Sequence, residues 1–457
     1  MSNEKTYKNK YFGTDGFRGE AGVTLTAEHA YKIGRFAGHY FSRGAENGRA
    51  RVCIGKDTRR SSYMLEYAMA AGLAASGADA YLVHVTTTPS ISYITKQRGF
   101  DLGVMITASH NPFYDNGIKL IDANGEKLGD ATAALIEKYI DGEADEVPFA
   151  SGAGVGAVHD FAEGRGEYAA YLTTLAEYSL EKMKIGLDMA NGAAFSVAGD
   201  VFTALGAKVY TLGDCPDGMN INLSCGSTHI DALASLVREK KLDVGFAFDG
   251  DGDRCIAVDE NGNTVDGDAI MYIIAKRMAA KGKLAHGTLA ATVMSNSGFF
   301  ESLAREGIGC VQTAVGDRFV YEKMKECGYS LGGEQSGHII FSDYASTGDG
   351  ILTAIMLANV LCESRSPLSE LASGITLYPQ YTKNVRVKDK DAAASDAEVK
   401  KAVARAEKLI NKKGRVLLRK SGTEPVLRIM AEAETEEKCR EYAEEIAKVI
   451  EERGYYA

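Results

Sequence analysis

Between Arg51 and Asp343 the chain repeats one phrase: a short, β-branched apolar run stops abruptly at Gly, Asp, Ser or Asn. It occurs as Val52-Cys-Ile54 before Gly-Lys-Asp-Thr-Arg59, Gly103-Val-Met-Ile-Thr107 before Ala-Ser-His-Asn-Pro112, and Lys184-Ile-Gly-Leu187 before Asp-Met-Ala-Asn-Gly192. Asp243-Val-Gly-Phe-Ala-Phe248 before Asp-Gly-Asp-Gly-Asp253 and Leu289-Ala-Ala-Thr-Val293 before Met-Ser-Asn296 continue it. Such runs read as buried strands, and the helical patterns after them predict βα units on mixed, mostly parallel sheets. In open α/β sheets ligands gather at the carboxyl ends of strands, so several of these polar loops are expected to face one cleft.

With 457 residues, the chain has room for roughly three domains at about 150 residues each. A stretch rich in Gly, Ala and acid at 141–166, and a change of rhythm over 363–381 around Pro367, Gly374 and Pro379, mark the divisions. The expected organisation is an α/β domain over 1–150, a second over 151–254, a third over 255–367, and a small α+β domain over 368–457. The last should contain a strand at 384–387, a charged helix at 396–412, two strands around 419–425 and a helix at 436–451.

Lys and Arg total 52 against 62 Asp and Glu, a net charge of −10, which argues against nucleic acid or an anionic membrane surface as partner. An anionic ligand would need cations gathered locally. The longest strongly apolar uncharged run, 351–362, is shorter than the ~20 residues of a membrane span. The N-terminal segment carries charged and polar residues where a signal peptide has its apolar region, so a cytoplasmic chain is expected. Eight cysteines are scattered without CxxC or metal-ligand spacing and are expected to be reduced and mostly buried.

The densest chemistry is Asp249-Gly-Asp-Gly-Asp-Arg254. Three carboxylates at alternate positions form a compact set of hard oxygen ligands suited to Mg²⁺ or Ca²⁺, whereas a solvated turn would leave three like charges uncompensated. A calcium-loop reading, which would place Glu260 at the twelfth position, is defeated by Arg254 where Gly is required and by flanks that read as strands. In Thr107-Ala-Ser-His-Asn-Pro112, Ser109 at a strand end beside a metal could carry a phosphoryl group. An ordinary turn closed by Pro112 explains the same residues, and His110, a candidate catalytic residue by its place beside Ser109, cannot be presumed its base. Near the C-terminus, Leu418-Arg-Lys-Ser-Gly-Thr-Glu-Pro425 with Arg428 supplies cations, hydroxyls and a glycine for a phosphate cradle; a plain hairpin accounts for Gly422 and Pro425 but not for the cations. Gly332-Gly-Glu-Gln-Ser-Gly-His338 offers paired donors and acceptors of the kind sugar hydroxyls need, or a solvated surface loop.

Together with Phe12-Gly-Thr-Asp-Gly-Phe-Arg-Gly19, these motifs resemble, in order and over nearly the whole chain, the α-D-phosphohexomutase superfamily. Asn220-Ile-Asn222, Cys225-Gly-Ser-Thr-His229, Thr292-Val-Met-Ser-Asn296, Val315-Gly-Asp-Arg318 and Gln335 are most similar to its phosphoglucosamine mutase branch. The resemblance implies a heart-shaped, four-domain isomerase that interconverts glucosamine 6-phosphate and glucosamine 1-phosphate through a phosphoserine and a hexose 1,6-bisphosphate. It implies that Ser109 is phosphorylated when active and that one Mg²⁺ is held by Ser109, Asp249, Asp251 and Asp253. Lys119 and Arg18 match positions that assist proton transfer and stabilise the moving phosphoryl, with Arg254 beside them. Glu334 and Ser336, with His338 close by, match contacts to sugar hydroxyls. Arg419, Ser421, Gly422, Thr423 and Arg428 match the cradle of the non-reacting phosphate, and Asp57 and Arg59 line the site. The implied partner is a small-molecule sugar phosphate, with a homodimer as one assembly. Departures from the family pattern are Phe17, Thr107 and Lys420. The alternatives are a phosphomannomutase or phosphoglucomutase of the same fold, a metal-dependent sugar phosphatase, and a non-catalytic sugar-phosphate or cation binder.

Overall fold

The computed structural model describes residues 9–13, 15–411, 413–420 and 425–457. They form two compact units, Met1–Val293 with Val311–Ala372, and Met294–Cys310 with Ser373–Ala457.

In the first unit the largest sheet runs Phe12–Gly13, Gly16–Glu20, Asp115–Asp122, Leu102–Ile106, Arg51–Lys56, Asp79–Val85, Val158–Asp160. Its pairings are parallel from Leu102–Ile106 toward Val158–Asp160 and antiparallel on the other side. Both faces are covered. Val52, Ile54, Val104 and Ile106 pack with Ile33, Leu65 and Met69 from helices Ala27–Ser42 and Arg60–Ala75. Cys53 and Met105 point the other way, onto Ile91 and Ile94 of helix Thr88–Gln97. Alternate side chains thus bury on opposite faces, which is why the strand reads as an unbroken apolar run. A second sheet is ordered Thr264–Val265, Cys255–Val258, Val244–Phe248, Lys184–Asp188, Lys208–Leu212. A third places Thr288–Thr292 parallel to Leu331–Gly333, which pairs antiparallel with Ile339–Phe341.

The sheets are mixed, and their antiparallel share is larger than the repeated phrase implies. After Leu102–Ile106 and after Val244–Phe248 the chain enters a strand, not a helix: Ile106 pairs with Ile118, and Phe248 with Cys255. The loops between are too short to cross over, so the chain must return beside the strand it left. The result is one arrangement used three times. The serine loop, the acidic loop and the loop after Gly333 each join an antiparallel pair and are fixed from both sides. The sheets also run past the expected divisions: Val158–Asp160 pairs with Asp79–Val85, and Cys255–Val258 and Thr264–Val265 complete the second sheet.

The apolar run 351–362 lies in helix Gly350–Ser364, buried from Ile351 to Leu361. Among the described residues no helix is long and apolar enough to cross a membrane. Among the described residues no two of the eight cysteines are joined by a disulfide; four are buried and Cys215 is exposed. The second unit carries an antiparallel sheet ordered Gln380–Arg386, Val426–Glu432, Arg415–Lys420. Helices Ala397–Ile410 and Glu436–Glu452 contribute Val399, Ala406, Ile446 and Ile450 to a core with Leu427 and Ile429. A short helix, Lys390–Ser395, was not expected; its N-cap Asp389 accepts from the Asp391 and Ala392 amides.

Candidate active site

Ser109 sits in left-handed backbone, φ 51°, a conformation an L-residue keeps only when its surroundings hold it. Three side chains do so. The Ser109 amide donates to Thr107 Oγ1 at 3.0 Å, and that hydroxyl donates to Asp57 Oδ2 at 2.8 Å. Serine at 107 offers the same hydroxyl, so the departure there keeps the contact. Arg59, fully buried, pairs with Asp57 at 2.8 Å. Its guanidinium also donates to the carbonyls of Ser109 and Asn111, both at 2.8 Å, and to those of Asp115, at 3.1 Å, and Pro112. From the second sheet's side, the Asn222 amide donates to the same Ser109 and Asn111 carbonyls, at 2.9 and 3.0 Å.

So held, the Ser109 hydroxyl donates to Asp249 Oδ2 at 2.5 Å and lies 3.3 Å from His110 Nδ1. Asp249, Asp251 and Asp253 are buried, and one carboxylate oxygen from each lies within 4.8 Å of the others. Thr88 fixes Asp251, its hydroxyl donating to Oδ2 at 2.5 Å and its amide to the Asp251 carbonyl at 2.9 Å. Asp251 Oδ1 and Asp253 Oδ1 are buried and have no hydrogen-bond partner among the described residues. Unpartnered carboxylate oxygens at such depth are costly, and a donor set of hard oxygens with two of them unspent fits a divalent cation such as Mg²⁺.

The surrounding charges set the protonation states. Burial pushes the Asp249 carboxyl well above its ordinary value, and Asp253 and Asp251 push it further. Asp253 moves the other way: burial would raise it, but Lys119, His338 and Arg254 overcome that and hold it well below. The Lys119 ammonium lies 2.8 Å from Asp251, 3.4 Å from Asp253 and 3.3 Å from Asp15; against burial, these acids hold it charged well above the usual lysine range. Burial, with Arg254 and Arg18 nearby, depresses His110 to about 4. Arg18 pairs with Asp15, and Arg254 lies 3.8 Å from Asp253; each keeps a buried Nε–H with no hydrogen-bond partner among the described residues, a donor for an oxyanion. His338 is bridged to Arg254 through the backbone; its Nδ1 lies 3.6 Å from Asp253 and its Nε2 3.4 Å from Asp317.

The structure therefore gathers Ser109, His110, Lys119, Arg18, Arg254, His338 and the three aspartates. Glu334 belongs to the turn closed by Gly337 N–H donating to its carbonyl, and its side chain accepts from the Gly316 amide at 3.1 Å; Ser336 is exposed on that turn. In the second unit Arg419 and Arg428 are direct cross-strand partners, while Ser421, Gly422 and Thr423 lie outside the described residues. Sequence reasoning missed Asp15, Thr88, Lys127, Asn222 and Asp317 as parts of this site. Asp15, Asn222 and Asp317 stood inside quoted motifs, but nothing local said what they would touch.

Four family models match the chain in order. These are Phosphoglucomutase/phosphomannomutase alpha/beta/alpha domain I over residues 9–146, domain II over 166–262, domain III over 266–378, and the C-terminal domain over 383–449. A phosphoglucosamine mutase of Lachnospira eligens is 54% identical over 446 residues, 98% of this chain and 99% of that protein. A phosphoglucomutase/phosphomannomutase family protein from Burkholderia thailandensis has the same fold, with TM-score 0.80 at 24% identity over 97% of this chain and 98% of that one. The Aspergillus fumigatus N-acetylphosphoglucosamine mutase in complex with GlcNAc-6P and magnesium aligns with TM-score 0.69 at 18% identity, over 98% and 96% of the two chains.

Proposed function

The chain belongs to the phosphoglucomutase/phosphomannomutase family, and from that premise we propose that it is a phosphoglucosamine mutase, interconverting glucosamine 6-phosphate and glucosamine 1-phosphate. The observation that carries the reading is the Ser109 hydroxyl 2.5 Å from Asp249 within the buried acidic triad.

On this reading Ser109 carries the phosphoryl group. Its P–O bond breaks as the sugar 1-hydroxyl forms a new one, giving a 1,6-bisphosphate and a free serine; after the sugar turns over, the 6-phosphoryl returns to Ser109. Asp249, Asp251, Asp253 and the serine oxygen would hold Mg²⁺, which when bound neutralises charge on the phosphoryl in transit. The Arg18 and Arg254 guanidiniums stabilise the same charge. Lys119, held as an ammonium by its carboxylates, does likewise and can give a proton rather than take one. Glu334, Ser336 and His338 orient the sugar, and Arg419, Ser421, Gly422, Thr423 and Arg428 hold the phosphate that is not reacting.

The domain assignment we propose puts the serine loop in the first domain, the metal loop in the second, the sugar loop in the third and the cradle in the fourth. A small-molecule sugar phosphate is the partner, a soluble cytoplasmic enzyme the setting, and a homodimer the assembly to look for. The test is conversion of glucosamine 6-phosphate with Mg²⁺ after priming by a hexose 1,6-bisphosphate, in parallel with mannose and glucose 6-phosphates. Ser109→Ala should abolish turnover while the protein stays folded; retained turnover removes the phosphoserine, and stoichiometric phosphate release identifies a phosphatase.

A further inference from the structure

Joined to the site is an ion-pair chain through Lys127, Asp15 and Asp317, three residues that the mechanism above does not use. Lys127 Nζ lies 3.1 Å from Asp15 Oδ1 and 2.8 and 2.6 Å from the two Asp317 oxygens. Asp15 in turn holds Arg18 and Lys119, and Asp317 Oδ2 lies 3.4 Å from His338 Nε2. The path closes on itself, because Lys119 and His338 both approach Asp253. Lys127 is thus the link between two arms of the site, one from the strand Asp115–Asp122 and one from the loop after Gly333.

We propose that Lys127 and Asp317 are positioning residues for phosphoryl transfer, setting where Lys119, Arg18 and His338 stand relative to the acidic triad. This rests on the mutase reading. The physical reason is a competition. Lys119 is shared among Asp15, Asp251 and Asp253, and its place depends on how well each is otherwise neutralised. With Lys127 replaced by methionine, Asp15 and Asp317 become two part-buried anions with the cation between them gone. Asp15 then draws harder on Lys119 and Arg18, pulling them off the aspartates of the triad. Among the described residues Lys127 itself touches none of the groups assigned to the sugar hydroxyls or the distal phosphate, so its loss should fall on kcat more than on KM, whereas Asp317, which faces His338 at 3.4 Å, can move both.

A purely architectural role predicts something else. The segments that carry Lys127 and Asp317 are also joined by Lys325 to Glu126 at 2.8 Å and Arg318 to Asp130 at 2.6 Å, outside the chain of contacts that reaches the triad. If Lys127 merely ties the segments together, cutting a neighbouring tie should do the same damage.

The experiment compares Lys127→Met, Lys127→Arg, Asp317→Asn and Lys325→Met in the full-length Mg²⁺-loaded protein, reading kcat, KM and thermal midpoint. A second readout is the single-turnover rate at which phosphorylated Ser109 loses its phosphoryl to glucosamine 6-phosphate, followed by intact mass. Lys127→Met and Asp317→Asn should lower kcat and that rate by about 10- to 100-fold, with KM within about threefold for Lys127→Met. Lys127→Arg should recover most of the loss, and Lys325→Met should match the parent. Parent-like rates in Lys127→Met, or equal losses in Lys325→Met, overturn the proposal. A Lys127→Met protein too unstable to assay leaves the decision to Asp317→Asn, whose kcat must fall below that of Lys325→Met; equal kcat in the two overturns the proposal. If the unsubstituted protein itself fails to interconvert the sugar phosphates, it is the mutase reading that falls.

Discussion

Replacing Gly250 with alanine tests how closely the serine and acidic loops must approach. A Cβ on Gly250 would lie 2.4 Å from the Ser109 carbonyl oxygen and 3.0 Å from Asn222 Nδ2. Ordinary carbon–oxygen contact is about 3.3 Å, so the two loops must part by about 0.9 Å along that line. The Ser109 carbonyl cannot yield freely, because Arg59 and Asn222 both grip it; the acidic loop has to move instead. The bond from Ser109 to Asp249, 2.5 Å long, lengthens past hydrogen-bonding range for a near-linear shift of that size. A displacement of about 1 Å between reacting groups costs on the order of 100-fold in rate, and forcing one methyl into a packed interior costs about 1–3 kcal/mol of stability. Gly250→Ala should therefore fold, melt a few degrees lower, and lose about two orders of magnitude in kcat on glucosamine 6-phosphate. Steady-state kinetics with saturating Mg²⁺ and a melting curve read both numbers. A variant within threefold of the parent in kcat would show that the close approach of the two loops is not what places Asp249 on Ser109.

Two further outcomes follow from buried groups near the site. Asp349 caps helix Gly350–Ser364 and accepts from the Tyr168 hydroxyl at 2.6 Å, and burial pushes its carboxyl up to about 6. Raised above its unfolded value, it binds protons more tightly when folded, so its contribution is full below about pH 4 and is lost as pH rises toward 6. Asp349→Asn, keeping the cap oxygen without the titration, should gain on the parent by up to about 3 kcal/mol across that window; urea denaturation at pH 4, 5, 6 and 7 measures the difference, and a pH-independent gap contradicts it. Gly348→Ala would place a Cβ 2.5 Å from the His338 imidazole, and the displaced ring should cost about tenfold or more in kcat/KM; unchanged kcat/KM would show that His338 tolerates movement.

Much of this site was legible because certain residue types cannot stand alone. Three aspartates in five residues demand a cation whatever the fold, and cations clustered on an acidic chain demand an anion. The flanking strands Val244–Phe248 and Cys255–Val258 were also readable, since each is a short apolar run bounded by the acidic loop or a turn. The helix expected after Ile106 was wrong for a local reason. Asp115–Asp122 has the composition of a strand, but the preceding βα rhythm suggested a crossover that a loop of this length cannot make. What stayed hidden was long-range. Lys127 meets Asp317 across 190 residues, and Asn222 meets Ser109 across 113; no periodicity in a window of a dozen residues carries such pairings. Arg59 illustrates the intermediate case: its place in a polar strand-end loop was visible, yet its bonds to four carbonyls of the serine loop could be read only from the folded chain.

The central claim is that one serine carries the phosphoryl group between two positions of the same sugar. Its most direct measurement is the intact mass of the protein after priming with glucose 1,6-bisphosphate and Mg²⁺, then after addition of glucosamine 6-phosphate, with peptide mapping of the modified residue. The account predicts a single phosphoryl group on Ser109 that glucosamine 6-phosphate removes as a 1,6-bisphosphate forms, and none in Ser109→Ala. A phosphoryl group found elsewhere, or sugar interconversion with Ser109 never modified, would contradict it.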